Sequence, residues 1–263
     1  MNTSNTPAVY CFVINLATDV ARRETISAQL DRLQIPHTIF PAVDGRLLSE
    51  EELSVRYDRA RAIEESHDLT RGEIGCALSH HGVYCEMVRQ GITHALVLED
   101  DARLNDQVPG LLPRLAQMYP AEVSQVVMLN YVEKYSRNRM IQLDDSHKLV
   151  STYGGNKNAH GYFLTLGAAR KLSENLFPIW LVADRWERFK EKKFIRLKAL
   201  LPYCIGLTTL AQDSNLNTDR VARMELYPRG GLMYYLHRYL YKKFIYQLFV
   251  RPFLRVATQK ETW

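Results

Sequence analysis

The sequence predicts an α/β domain built on a mostly parallel central sheet, followed by a basic, aromatic-rich, helical C-terminal extension. Three observations predict it. First, Val9 to Asn15 (VYCFVIN) is a short apolar run rich in β-formers, Ile26, Leu30 and Leu33 recur at helical spacing, and His37 to Val43 (HTIFPAV) reads as a second strand. Strand, helix and strand within about 35 residues form a βαβ unit, which implies a parallel pair. Second, LTRGEIGCALSHHGVYCEMVRQGITHALVLEDDARL reads as a helix, a turn and an apolar strand that ends in Glu99-Asp100-Asp101. Third, from Leu226 to Lys260 there is no acid, while Arg229, Arg238, Lys242, Lys243, Arg251, Arg255 and Lys260 are all cations.

The elements follow in order. Ile35-Pro36 ends the first helix, and the Asp44-Gly45 turn closes the second strand. Ser49 with Glu52, and Thr70 with Glu73, have the spacing of capping boxes, so a helix starts at each. Ile74, Leu78, Cys85 and Val88 are expected to form one face of the second of these helices, with Gly91 at its C-terminal cap. His94 to Leu98 is the third strand and Gln125 to Asn130 a fourth. Tyr131 to Gly155 is polar and reads as a loop or hairpin region; His160 to Leu166 is a strand and Gly167 to Leu176 a helix stopped before Pro178. There is no internal repeat and no low-complexity linker. The expectation is one domain over residues 8–220 and an extension over 221–263.

Composition bounds the chemistry. The chain has 263 residues, 46% of them hydrophobic, enough for one sizeable core. The net charge of +5 is concentrated in the C-terminal stretch. Mixed there with Tyr, Phe and Leu, it points to an anionic surface, either membrane or nucleic acid, or else to a solvated face. Cys11, Cys76, Cys85 and Cys204 show no metal-binding spacing and read as reduced core residues of a cytosolic protein. MNTSNTPAV lacks the pattern of a signal peptide, and no apolar run of about 18 residues is free of charge.

Packed carboxylates repel one another, and burying them unpaired is costly. Glu99, Asp100 and Asp101 stand at the carboxyl end of a strand, the edge where α/β sheets bind ligands; Asn15 and Asp44 fall at equivalent ends. Hard oxygen ligands on a short turn suit Mg²⁺ or Mn²⁺, which also bind substrate phosphates. Strand-end acids of this kind also occur in receiver domains and haloacid-dehalogenase-like phosphatases, and exposed acidic turns are common.

The blocks FVINLATDVARRETISAQL, FPAVDG, LTRGEIGCALSHHGVY, ALVLEDDA, NAHGYFLTLGAARKL and LVADRW occur in the order, and at roughly the spacing, of glycosyltransferase family 25. From Val9 to Asp219 the chain resembles the lipooligosaccharide-biosynthesis enzymes of that family, which add galactose or a related hexose. The resemblance implies a GT-A-like fold, a UDP-sugar donor, a divalent metal and an inverting transfer. It makes the triplet the counterpart of a DxD motif, with Glu99 as its first acid and Asp101 as its last. It also aligns Asp184 with a family acid, although Ala183 interrupts the usual small-residue-Val-Asp pattern.

On this reading Asp101 binds the metal, and Glu99 contacts the metal or the donor ribose. Asp100 points inward to backbone N–H groups. Asp44 accepts from uracil or ribose, or serves only its own Asp-Gly turn. Arg22 and Arg23 reach the diphosphate, or one of them is surface charge. His80 contacts the nucleotide or is a hydrogen-bonded structural residue. Asp184, an acid in the apolar run IWLVADRW, is the base that takes the acceptor hydroxyl proton, or pairs with Arg185 or Arg188. Trp180 and Trp186 are sugar platforms or core. The partners expected are a UDP-sugar, a lipid-linked oligosaccharide acceptor and an anionic membrane surface on the cytoplasmic side, with no nucleic acid. Rival readings are a nucleic-acid-binding protein gripping phosphate with its tail, and a phosphotransferase using the triplet. Neither accounts for the six ordered blocks.

Overall fold

The computed structural model describes residues 8–154, 158–208, 248 and 251–260. In chain order the elements are β1 (Tyr10–Asn15), α1 (Val20–Arg32), β2 (His37–Pro41), a 3-10 turn (Gly45–Leu47), α2 (Glu50–Arg56), α3 (Arg59–Glu65), α4 (Arg71–Gln90), β3 (His94–Glu99) and β4 (Ala102–Leu104). There follow α5 (Val108–Met118), β5 (Gln125–Met128), β6 (Lys134–Gln142), β7 (Lys148–Thr152), β8 (Gly161–Thr165), α6 (Leu166–Asn175), α7 (Trp186–Glu191), β9 (Arg196–Leu201) and β10 (Ile205–Leu207). A helical turn at Arg251–Leu254 leads into β11 (Val256–Thr258).

A nine-stranded sheet has the order β11-β6-β7-β9-β5-β8-β3-β1-β2. Six of its strands (β1, β2, β3, β5, β6 and β9) share one direction, while β7, β8 and β11 run against them. This is the α/β class and the mostly parallel sheet that the sequence predicts. β4 and β10 form a separate antiparallel pair beside the end of β3.

Alternation along the strands divides the core in two. Phe12, Ile14, Val97 and Met128 face α4 and α6, where they meet Ile74, Tyr84, Met87 and Leu172. Cys11, Val13, Leu96 and Leu98 face α1 and α5, where they meet Ile26, Leu30, Leu111 and Leu115. The central strands β1, β3, β5 and β8 are thus covered on both faces, as buried strands of an α/β sheet require.

Both predicted capping boxes form. The Ser49 and Thr70 hydroxyls accept from the backbone N–H of Glu52 and Glu73, whose carboxylates reach back to the cap N–H groups. Gly91 ends α4 in the left-handed region, at φ 66°. The buried face of α4 differs from the expectation. It runs through Ile74, Ala77, His80, Tyr84 and Met87, while Cys85 and Val88 are exposed. At 100° per residue Cys85 and Val88 stay within about 40° of Ile74, so the helix keeps its turn and the packed side changes: its last turns bury Val83, Tyr84 and Met87 instead. Cys11 and Cys204 are buried, Cys76 is half-buried, and none of the four cysteines is in a disulfide.

Two glycines fix how the site is framed. A Cβ on Gly45 would lie 1.7 Å from the Arg71 carbonyl oxygen, and one on Gly75 would lie 2.5 Å from the Val43 carbonyl oxygen. The turn after β2 therefore meets α4 backbone to backbone. Ser79 locks the contact: its hydroxyl accepts from the Val43 N–H at 2.8 Å and donates to the Gly75 carbonyl at 2.7 Å. The FPAVDG and GEIGCALSH blocks are thus two sides of one joint.

Candidate active site

β1 and β3 are adjacent and parallel, so Asn15 and the acidic triplet emerge at the same edge. β8 runs antiparallel to β3, which brings its first residues there too; the Glu99 N–H donates to the His160 carbonyl at 3.2 Å. Asn130, two residues beyond β5, joins them. β4 and β10 close the side, where the Thr208 N–H donates to the Asp101 carbonyl at 2.9 Å.

The cation required beside the acids is Arg22, on the first turn of α1. Its guanidinium lies 3.3 Å from Asp100 Oδ1 and 3.9 Å from Asp101 Oδ2. Asn15 Nδ2 donates to Asp100 Oδ2 at 2.7 Å. Asp100 thus faces two side chains, not the backbone N–H groups expected for it, because Asn15 and Arg22 reach it first across the sheet edge. Burial pushes the Asp100 carboxyl above its ordinary value, against the pull of Asn15 and Arg22. Asp101 is pushed further, to about 7, by burial first and then by the charges of Glu99 and Asp100; Arg22 only partly offsets them.

Behind the triplet runs a chain of rings. His80 Nε2 lies 3.1 Å from Glu99 Oε1, and His80 Nδ1 lies 2.8 Å from the Tyr162 hydroxyl. The Tyr162 hydroxyl is 3.1 Å from that of Tyr84. His80 is 1% exposed, so it orients Glu99 from inside.

Five buried polar atoms at this edge have no hydrogen-bond partner among the described residues: Asn15 Oδ1, Asp101 Oδ1, Asn130 Oδ1, His160 Nε2 and Thr208 Oγ1. Each such atom costs about 1–3 kcal/mol unless something satisfies it. Their convergence marks the site as built to receive a polar ligand. Asn130, His160 and Thr208 were not legible in the sequence as site residues. His160 lies in the NAHGYFLTLGAARKL block but was not singled out there, Asn130 and Thr208 lie in no quoted block, and the strand order is what brings the three together. The same orphaned Asp101 oxygen, on a carboxyl that burial and then its acidic neighbours push up, fits a hard divalent cation such as Mg²⁺ or Mn²⁺.

The other predicted residues lie around this centre. Asp44 caps the 3-10 turn and pairs with Arg46 at 2.6 and 2.8 Å, which holds its carboxyl below the ordinary value. Arg23 lies half-buried one residue along α1 from Arg22. Asp184 lies half-buried in the turn before α7. Its neighbour Arg185 donates to the Ser66 hydroxyl at 2.9 Å, and Arg188 pairs with Glu65 and Glu191. Trp180 and Trp186 are fully buried, so both are core and not sugar platforms. Trp186 packs against Tyr162 with centroids 4.7 Å apart and donates its indole N–H to the Asn158 carbonyl at 3.0 Å.

Carboxylates and orphaned polar atoms gathered at the carboxyl edge of an α/β sheet stand where such sheets bind ligands. Residues 9–187 match the family described as Glycosyltransferase family 25 (LPS biosynthesis protein), and the chain belongs to that family. It is 36% identical over 115 residues to the inactive glycosyltransferase 25 family member 3 of Homo sapiens, an overlap of 42% of this chain and 19% of that protein. It is 30% identical over 186 residues to procollagen galactosyltransferase 2 of Homo sapiens, covering 66% of this chain and 29% of that protein. The chain therefore spans less than a third of the length of these relatives. A solved glycosyltransferase involved in glycosylation of the major capsid of PBCV-1 aligns over 84% of this chain and 100% of its own, with 9% identity and a TM-score of 0.36.

Proposed function

We propose that the chain is a glycosyltransferase that moves a hexose, galactose, from a UDP-sugar to a sugar of a lipooligosaccharide or lipopolysaccharide, with metal assistance and inversion at the transferred carbon. The observation that carries this reading is the triplet Glu99-Asp100-Asp101 at the sheet edge, Asp100 buried within it, with the orphaned Asp101 oxygen. The family description names LPS biosynthesis, and one relative is named a galactosyltransferase; both support the choice of sugar and acceptor.

Glu99 and Asp101 would hold the divalent cation, which when bound supplies positive charge against the diphosphate. Arg22, with Arg23 beside it, would turn from the acids toward donor phosphate, because guanidinium binds phosphate bidentately. Asn15 fixes Asp100, and His80 fixes Glu99, so the carboxylates are held before the donor arrives. Asp44 is assigned to the nucleoside, for which its carboxylate would give up its pairing with Arg46. Asp184 is the base that takes the acceptor hydroxyl proton. The acceptor would be lipid-linked, with the enzyme peripheral on the inner face of the cytoplasmic membrane. Among the described residues no helix is long and apolar enough to cross a membrane.

The test is a panel of UDP-sugars assayed for transfer and hydrolysis, with Mn²⁺ and with excess EDTA. Turnover of UDP-galactose that EDTA abolishes is expected; full activity in EDTA would remove the metal from the reading. Asp184→Asn is expected to lower the rate at saturating donor by roughly 10²- to 10⁴-fold while leaving donor affinity unchanged. If it instead loses UDP-sugar binding in calorimetry and keeps its rate, Asp184 belongs to the donor site.

A further inference from the structure

We infer that Cys76, His80 and Glu99 form a second cation site, one that takes a soft or borderline metal of the Zn²⁺ class, on the α4 side of the acidic triplet. Cys76 and His80 are four residues apart on α4 and so share one face. Glu99 comes from the end of β3. One ligand atom from each of the three lies within 4.8 Å of the other two. In a tetrahedral site with ligand bonds of about 2.0–2.3 Å, neighbouring ligand atoms are about 3.4 Å apart. His80 Nε2 and Glu99 Oε1 stand at 3.1 Å, so this edge of the tetrahedron is nearly formed and the thiol has about an ångström to close.

The surroundings are those of a metal-binding histidine. With the Nε2 lone pair turned to the cation, the proton sits on Nδ1 and donates to the Tyr162 hydroxyl, which is in turn bonded to Tyr84. A ligating imidazole usually hands its other N–H to such a partner, which fixes tautomer and ring plane. The mixed sulfur, nitrogen and oxygen set selects against Mg²⁺ and Mn²⁺, which prefer all-oxygen shells. It is therefore chemically distinct from the carboxylate site formed by Asp101. Binding turns the Cys76 thiol into a thiolate, and its proton leaves to solvent. The half-exposed Cys76 and Glu99 leave the fourth position open to water. Because Glu99 belongs to both groups, filling this site withdraws a carboxylate from the triplet. That consequence rests on the function proposed above; the binding itself does not.

The experiment is a Co²⁺ titration of the reduced full-length protein in excess Mg²⁺, read by absorption. Co²⁺ is expected to produce a near-ultraviolet thiolate-to-cobalt charge-transfer band that Zn²⁺ abolishes. Cys76→Ala should lose the band, and Cys85→Ser should keep it. Glu99→Gln, which removes the strand ligand without altering the helix, should weaken Co²⁺ binding by about tenfold or more. Circular dichroism checks that each variant is folded. Absence of the band in the unaltered protein, its survival in Cys76→Ala, its loss in Cys85→Ser, or unchanged affinity in Glu99→Gln would each overturn the site. In the same samples Zn²⁺ should slow UDP-sugar turnover. A protein with the band but no turnover keeps the site and loses the proposed function, and one with turnover but no band does the reverse.

Discussion

Asp101 is the residue on which most depends, and its titration has a definite sign. Its folded carboxyl is raised from an ordinary 3.8 to about 7. Between those values the folded protein holds a proton that the unfolded chain has released, so the Asp101 contribution to stability falls as pH rises through that window. Asp101→Asn should therefore match the unaltered protein near pH 4. Without divalent cation it should be more stable near pH 8, by on the order of 1 kcal/mol or more. Thermal melts of both proteins across pH test this; a variant less stable at pH 8 would show that the carboxylate is satisfied in the fold. The same variant is expected to lose about 100-fold or more of its transfer rate, as a functional carboxylate should. The triplet was legible because three adjacent acids after an apolar strand are conspicuous. Arg22 was legible as a cation near the site but not as the partner of Asp100, since that contact spans 78 residues. His160 stood in a family block, NAHGYFLTLGAARKL, but nothing in that block marked it as a site residue.

At the scale of elements, local chemistry predicted well wherever a signal was contained in a few residues. Both capping boxes, the Gly91 cap and the βαβ opening formed as read. Thr70→Ala is expected to cost about 1 kcal/mol in urea unfolding, the usual penalty for losing an N-cap. Gly75→Ala should cost more, above about 3 kcal/mol, because its methyl group would meet backbone that cannot yield. Equal penalties for the two would argue against the backbone joint between the Asp44-Gly45 turn and α4. α5 escaped sequence reading because Pro109, Gly110 and Pro113 mask its apolar face; Leu111, Leu112 and Leu115 nevertheless bury. β9 escaped because RLKALL has too few residues to separate strand from helix, and its place beside β5 is set by the sheet alone.

For the whole molecule, the charge asymmetry is the clearest feature of the composition. Arg238, Lys242 and Lys243 lie outside the described residues, so the proposed membrane attachment rests on sequence. Each cation near an anionic leaflet is worth about 1 kcal/mol. Co-sedimentation with anionic vesicles should be strong, should weaken with salt, and should fall sharply when Arg238, Lys242 and Lys243 are changed together to Gln. Binding to neutral vesicles should be weak throughout. Equal sedimentation of the substituted and unaltered proteins would refute attachment through this stretch. Residues 256–258 of the segment read as an extension complete the central sheet, a placement that no local pattern announces.

That placement bears on self-association. β11 pairs with Lys134, Tyr135 and Ser136 of β6, and the Ser136 hydroxyl and Asn138 amide donate to the Leu254 and Phe253 carbonyls. The outer half of β6 protects itself, with a register shift after Ser136, positive φ at Arg139 and the two cations Arg137 and Arg139. The inner half has β11 as its cover. Cutting the chain before Arg251 would therefore open a flat strand edge to any other chain in solution, the situation that drives edge-to-edge aggregation. Light scattering from such a truncation should rise with protein concentration in the absence of lipid, whereas the full-length protein with Arg238, Lys242 and Lys243 changed to Gln should remain dispersed.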